Sequence, residues 1–504
     1  MRKSFLITVI GSLFALIQFP LTPLQAMDYS LELDPLPYRA VRQKMGYQSA
    51  TPAQGEVNML VIPISFSDFS CASLPYGCEG TLHDIERAFF GEAEDTTWES
   101  VKTFYQESSF NQLHFSGMVT PWFTPSITAV QLSNNPSGGV NANVMFPAVN
   151  WFKESFPQLV ANFDSDQDGF LDAVYLVYSV DSQPEHEAFG SGKDVFWAFT
   201  AYVGGTPNVQ NPHVFHYCWS SYDFMYMDGY YDRDDQGRLL RDPVTDKPVF
   251  YPWLNQDQTM KVDAHVYIHE VGHLLGLFDY YSYDQDEGDW GALGGVDMMD
   301  YNVGDHNPYS KALLGWSSPT VIEDSIALQL APYATTGASL LISPSFQQTL
   351  MDEYLIIEYY TPESLFEADS IDAFAGRYPK TFSIPGIRIY HVDSRVAASS
   401  YVNGRKTFNA FVTSIPEGST LAYDIAHSNT ASRSLNPNHR LIHLLESSGQ
   451  NSFKHQGYAI NSTLFQTGMV LNQYPMNSGA SLPFIITIGT MSHDGVQLTI
   501  QKLV

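Results

Sequence analysis

Basic residues are scarce in this chain of 504 residues. Lys and Arg together number 25 against 54 Asp and Glu, which leaves a formal net charge of −29. A surface this acidic repels a phosphate backbone, so we expect no nucleic-acid partner. The carboxylates either keep the surface well solvated or, where several of them cluster, bind Ca²⁺.

Cysteine is also rare, with three residues in the chain. The sequence contains no paired-cysteine zinc knuckle and no cysteine-protease signature, and it has neither a Gly-rich phosphate loop nor a nucleophilic-serine elbow. Cys71 and Cys78 are spaced to close a small disulfide-bonded loop if the protein is exported. Cys218 is then left over and is predicted to be a buried thiol.

Long apolar runs are absent after the start of the chain, so we expect no stable membrane insertion. Residues 1–26 have the pattern of a signal peptide, with basic Arg2 and Lys3, an apolar run at residues 5–17 and a small residue, Ala26, at the end. This run is too short to span a bilayer comfortably. The sequence therefore predicts a secreted, extracellular protein.

The length predicts two or three domains. Residues 27–55 are polar and form a short leader or pro-segment, which is followed by a folded part at 56–318. Residues 200–260 are rich in Tyr, Asp and Gly, and we expect them to form long irregular surface structure. Residues 319–504 consist of short β-like runs between turn residues, a pattern typical of an antiparallel β-sandwich.

A predicted helix at residues 261–278 carries the strongest motif of the chain. His269 and His273 are four residues apart, so both imidazoles lie on one face of the helix and can reach one ion. Glu270 can act as general base on a zinc-bound water. The fourth member of the motif is Asp279, which is predicted to be the third zinc ligand.

Other acids compete for the place of the third ligand. They are Asp284, Asp286, Glu287 and Asp305. The run 284–289 is also a second, weaker calcium candidate. The plain alternative to a metal site is an amphipathic helix with exposed histidines. A shifted pair, His265 and His269, lacks a glutamate after its first histidine.

A segment after the zinc helix carries Met299 and Tyr301. A Met two residues before a Tyr suggests a tight turn below the metal. Met299 would form a hydrophobic floor below the metal, and the hydroxyl of Tyr301 could stabilise a developing oxyanion. The alternative is a core methionine and a loop tyrosine.

Residues 164–172 resemble a calcium-binding loop. Asp164, Asp166 and Asp168 alternate before a glycine, and Asp172 lies three residues beyond that glycine. Tyr175 stands where an EF-hand has its glutamate, so this is not an EF-hand. We predict a shorter oxygen cage for Ca²⁺, with a solvated acidic turn as the alternative.

These motifs, in this order, resemble the immune inhibitor A-type secreted metalloproteases, a zincin branch close to the metzincins. Besides the zinc helix, the similar segments are 104–113, 166–172, 308–316 and 385–393. The resemblance spans roughly residues 57–450 and does not include the Tyr-rich 200–260 segment.

The resemblance implies an α+β zincin catalytic domain at 56–318, followed by a mostly β, sandwich-like domain at 319–504. It also implies an extracellular endopeptidase that acts on protein or peptide substrates, with Zn²⁺ and often Ca²⁺ as cofactors. Two alternatives stay open. The first is a non-catalytic cell-surface or carbohydrate-binding protein with a vestigial zinc helix, and the second is a zinc hydrolase acting on glycans or small amides.

Overall fold

The computed structural model describes residues 22–23 and 49–503, with gaps at 135–138, 185–188, 190–191, 227–228, 232–239, 241–249, 253, 255–259, 285–291, 348, 375–376, 403–404, 413–418, 451 and 456. Most of the predicted signal peptide and leader therefore lies outside the described residues. A two-residue strand, β1 (Thr22–Pro23), pairs in parallel with residues 328–329.

A five-stranded, largely parallel sheet forms the centre of the first part. Its strands are β2 (Gly55–Ile64), β3 (Leu113–Val119), β5 (Ala173–Tyr178), β6 (Phe199–Tyr202) and β8 (His216–Ser221). The strand order is β3-β2-β5-β8-β6, and only β6 runs antiparallel to its neighbour. Shorter pairs are β4 (Phe170–Leu171) with β7 (His213–Val214), and β9 (Gly229–Tyr231) with β10 (Phe250–Pro252).

Helices cover both faces of this sheet. The core on one face includes residues of α1 (Gly77–Phe90), α2 (Val101–Ser108) and α5 (His265–Leu274). The core on the other face includes α3 (Ala129–Asn134) and α4 (Phe146–Ser155). Because strands β2 and β5 are buried on both faces, they form near-continuous apolar runs.

Helix α5 is shorter than the predicted helix at 261–278. Ala264 precedes its first residue and gives no side-chain cap, although the Asp263 carboxylate accepts a hydrogen bond from the backbone N–H of His265 at 2.8 Å. At the other end Gly276 has φ +90°, a left-handed conformation that ends the helix as the sequence predicted.

The expectation of irregular surface structure at 200–260 is wrong for residues 213–221. Strand β8 is fully buried next to β5. Two of its polar residues have partners far away in the sequence: His216 Nε2 lies 3.0 Å from Thr51 Oγ1, and Ser220 Oγ lies 2.7 Å from the hydroxyl of Tyr175. A strand with so few β-branched residues gives no apolar pattern that would reveal its burial.

The second part is mostly strand, as predicted. Its strands are β11 (Thr320–Val321), β12 (Ile326–Leu330), β13 (Ser339–Ile342), β14 (Glu353–Tyr360), β15 (Gly386–Asp393), β16 (Val396–Val402), β17 (Arg405–Phe411), β18 (Ala422–Ile425), β19 (Ile442–Leu444), β20 (Val470–Asn472), β21 (Phe484–Ser492) and β22 (Gly495–Lys502). Two five-stranded sheets, β11-β13-β14-β15-β19 and β1-β12-β22-β21-β20, share one apolar core.

Four short helices complete the described elements that position the site. They are α6 (Met298–Tyr301), α7 (Pro308–Leu314), α8 (Tyr333–Thr336) and α9 (Glu367–Ser370). The largest apolar cluster contains α5 residues together with Ile356 and Tyr390 of the second part, so the core continues across residue 318. The two predicted parts are thus packed on each other.

The cysteine predictions are confirmed. Cys71 and Cys78 form a disulfide, and Cys218 is a free, buried thiol. None of the helices within the described ranges has the length and apolar character needed to cross a bilayer.

A buried ion pair joins β14 and β15 on the sheet face that packs against the first part. The side chains of Arg388 and Glu358 face each other across the strands and are 2% and 0% exposed. Tyr390 also donates a hydrogen bond to Glu358 at 3.0 Å.

We predict that Arg388→Met lowers the free energy of unfolding by about 3–5 kcal/mol, because the Glu358 charge is then left buried and unpaired. Denaturant unfolding measures the change. The matched control is Lys502→Met, which breaks an exposed pair with Asp324 and should cost less than about 1 kcal/mol. Equal effects of the two substitutions would contradict the role given to Arg388.

Candidate metal centre

Helix α5 presents the two motif histidines side by side. The ring centroids of His269 and His273 are 5.0 Å apart, with an angle of 86° between the ring planes. The plain alternative of exposed histidines on an amphipathic helix is wrong for His269, which is buried at 5% exposure. Both rings are therefore placed to share one ion.

Backbone carbonyls fix the orientation of both imidazoles. His269 Nδ1 lies 2.8 Å from the carbonyl oxygen of Met298, and His273 Nδ1 lies 2.8 Å from that of Leu277. A carbonyl can only accept, so each Nδ1 must carry the proton. Nε2 is then the nitrogen left to bind a metal once any proton on it is released, an arrangement usual around metal-bound histidines.

Asp279 completes the group at the position that the sequence predicted. Its Oδ1 lies 2.9 Å from His269 Nε2 and 3.2 Å from His273 Nε2. One donor atom from each of the three residues lies within 4.8 Å of the others. The hydroxyl of Tyr283 donates a hydrogen bond to Oδ2 and holds the carboxylate in place.

The competing acids are engaged elsewhere or lie outside the described residues. The Asp284 carboxylate accepts hydrogen bonds from the backbone N–H and hydroxyl of Ser432, both at 2.7 Å. Asp305 pairs with Lys311 at 2.5 Å. Asp286 and Glu287 fall in the gap at 285–291.

Charge interactions within the group shift the pKa values of His273 and Asp279. Burial alone would lower the pKa of His273, but the charge and hydrogen bond of Asp279 outweigh it and raise that pKa to about 9. Burial alone would raise the pKa of Asp279, but the two histidines hold it well below its usual range. Asp279 is thus kept ionised, and a metal that binds here must displace a proton from His273.

Glu270 lies beside the histidines and is oriented by the edge strand β6. Thr200 Oγ1 donates to Glu270 Oε2 at 3.0 Å. Burial raises the pKa of the Glu270 carboxyl, and the neighbouring His273 and His269 partly offset this. A held carboxylate with a raised pKa is suited to accept and return a proton.

Met299 packs directly under α5. A Cβ placed on Gly272 would come within 2.5 Å of Met299 Sδ, so only glycine allows this approach. The Met299 carbonyl also accepts a hydrogen bond from the N–H of Tyr280 at 2.8 Å, and Met299 itself is fully buried. These contacts fit the predicted hydrophobic floor and tie the Asp279 segment to α6.

Several tyrosines lie around this part of the chain. The Tyr301 ring contacts Tyr458 edge to face at 5.5 Å, and its role at an oxyanion stays a prediction. Among the described residues, Tyr283 and Tyr281 hydrogen-bond to Asp279, and the hydroxyl of Tyr202 donates to the His273 carbonyl at 3.3 Å. Sequence reasoning missed these three tyrosines, although the position of Tyr283 four residues after Asp279 was a usable signal.

A second acidic group lies at the predicted calcium loop. Oxygens of Asp164, Asp166 and Asp172 lie within 4.8 Å of one another. Asp172 Oδ1 is buried and has no hydrogen-bond partner in the described structure. The fourth predicted ligand, Asp168, is not part of this group, and its Oδ1 accepts from the N–H of Phe170 at 2.8 Å.

We predict that Asp279→Ala weakens zinc binding by at least about 10-fold, because it removes one of three donors and leaves both Nε2 atoms without an anionic partner. Competition with a coloured chelator measures the affinity. Asp284→Ala is the matched control and should leave the affinity unchanged. A larger loss of zinc affinity in Asp284→Ala than in Asp279→Ala would instead identify Asp284 as the third donor.

We also predict that Ca²⁺ raises the melting temperature through Asp172. Burial and the nearby acids raise the pKa of Asp172 to about 7, so Ca²⁺ must displace a proton below that pH. The stabilisation should therefore be larger at pH 8 than at pH 6, and Asp172→Asn should remove most of it. Exposed Asp166→Asn should have a smaller effect. A calcium response that is unchanged in Asp172→Asn would argue against this cage.

Comparison of the sequence with protein-family models and with curated proteins finds no match. The functional assignment therefore depends on the residues and their geometry.

Proposed function

We propose that this protein is a secreted, zinc-dependent endopeptidase that hydrolyses internal peptide bonds of proteins. The observation that carries the proposal is the convergence of His269 Nε2, His273 Nε2 and an Asp279 oxygen, with Glu270 next to them on α5. When bound, Zn²⁺ would supply Lewis-acid polarisation of the scissile carbonyl and acidify a water molecule.

The donor set favours zinc among the biological metals. Two imidazole nitrogens and one carboxylate oxygen are donors typical of catalytic zinc sites with an open fourth position. Ca²⁺ and Mg²⁺ prefer all-oxygen sites, such as the group around Asp164 and Asp172. We therefore assign Zn²⁺ to the histidine group and Ca²⁺ to the acidic group.

Glu270 is proposed as the proton carrier. Its carboxylate takes a proton from the attacking water and later returns it to the leaving amine. The bond from Thr200 fixes one carboxylate oxygen at 3.0 Å, so the side chain is oriented before substrate arrives. A vestigial zinc helix would not need this arrangement, which speaks against a purely non-catalytic protein.

The edge strand supports a peptide substrate over a glycan. Strand β6 ends the sheet among the described strands and is only partly buried. Its residues Thr200 and Tyr202 contact Glu270 and the His273 carbonyl. An extended peptide that pairs with β6 would therefore run alongside the metal group, as in β-strand addition.

Two further features support the remaining parts of the proposal. The Cys71–Cys78 disulfide suits an oxidising compartment, in agreement with export. A sheet with helices on both faces and a single antiparallel edge strand suits a zincin catalytic domain. Membership of the immune inhibitor A-type metalloproteases remains part of the proposal.

We predict that Glu270→Gln lowers kcat for casein cleavage by about 10²–10⁴-fold, the usual contribution of a general base, while zinc content stays unchanged. Exposed Glu56→Gln is the matched control and should keep full activity. A chelator should abolish wild-type activity, and added zinc should restore it. Equal activity of wild type and Glu270→Gln would end the peptidase proposal. A zinc-loaded wild type that cleaves no denatured protein would favour a glycan or small-amide hydrolase.

A further inference from the structure

A second histidine-containing group lies in the β-rich part, outside the proposed active site. Asp393 is the last residue of β15, His427 follows β18, and His439 precedes β19. One donor atom from each residue lies within 4.8 Å of the others. Three separate segments therefore converge on one point.

His427 is the member whose environment most needs an explanation. Its side chain is 0% exposed, and neither ring nitrogen has a hydrogen-bond partner in the described structure. Its Nε2 lies 3.3 Å from Asp393 Oδ2, without the geometry of a hydrogen bond. Its ring centroid is 5.1 Å from that of His439. Burying an imidazole without hydrogen-bond partners costs free energy, and a bound metal would give the ring a partner.

Asp393 is already held in a fixed orientation. Arg395 donates to both of its oxygens at 2.7 Å, and Asn477 Nδ2 donates to Oδ2 at 2.9 Å. Such bonds to a carboxylate are typical of the shell that orients a metal ligand. Glu353 lies 3.7 Å from Arg395 and accepts a hydrogen bond from His391 Nε2 at 2.8 Å, so the bidentate contact of Arg395 is with Asp393.

His439 can supply the third donor. It is half-buried, and its Nε2 lies 3.2 Å from Asn436 Nδ2. That contact is weak enough for a metal to replace it. Two imidazoles and one carboxylate are donors that zinc and related transition metals prefer to Ca²⁺ or Mg²⁺.

We infer that Asp393, His427 and His439 form a second zinc site, separate from the His269 group. The segment between its two histidines contacts the stretch of chain that follows the first site. Asn429 Nδ2 donates to the Tyr280 carbonyl at 2.8 Å. Thr430 Oγ1 accepts from the N–H of Tyr283 at 3.0 Å.

The second site therefore supports the first through packing. Because Tyr283 holds Asp279, a metal that fixes the 427–439 segment also stabilises the position of Asp279. The ion itself lies in the β-rich part and takes no part in catalysis. Its removal should loosen the segment that carries the third donor of the active site.

The test is the zinc content of the full-length protein by mass spectrometry, after zinc loading and removal of free metal, with Ca²⁺ present throughout. Wild type should hold two equivalents of zinc. The double variant His269→Ala/His273→Ala should still hold one. If this variant holds none, the second site is refuted, whatever the result for peptidase activity.

Variants of the second site give the complementary result. His427→Ala and the less buried His439→Ala should each lose one equivalent and keep the zinc at His269 and His273. Exposed His493→Ala is the matched control and should keep both. Two equivalents in a folded His439→Ala variant would overturn the assignment. If both single variants fail to fold, the zinc contents of the wild type and of His269→Ala/His273→Ala still test the second site.

Discussion

The candidate metal centre depends on one constraint, the fixed orientation of two imidazoles a helical turn apart. Hydrogen bonds from Nδ1 to the carbonyls of Met298 and Leu277 leave each Nε2 free to face the same point. Without these bonds the rings could rotate, and the spacing in the sequence alone would not make a site. The carboxylate of Asp279 then converts the pair into a three-donor group.

The surrounding fold keeps this helix in place from several sides. Tyr105 donates to the Ile268 carbonyl at 2.7 Å, and Tyr267 donates to the Ser221 carbonyl at 2.8 Å. Met299 closes the space below Gly272. Since the β-rich part shares the same core cluster, its sheets contribute to the rigidity of the site. The helix is therefore positioned by both parts of the chain.

The sequence predicted that His269 and His273 come together, because helix periodicity is local. Gly276 and Asp279 follow the helix at a fixed spacing, so their places were also predictable. The anchoring residues were not, because Tyr202, Thr200 and the 429–432 segment reach the site through long-range packing. The buried strand β8 was missed for a related reason, since the partners of His216 Nε2 and Ser220 are distant in the sequence. Local patterns reveal element types better than tertiary contacts.

The most direct measurement of the central claim is X-ray diffraction from zinc-soaked crystals on both sides of the zinc absorption edge. If these residues hold zinc, an anomalous peak should appear above the edge at the point where His269 Nε2, His273 Nε2 and Asp279 converge. A well-ordered crystal in which these three side chains are visible, but no such peak lies among them, would contradict the central claim.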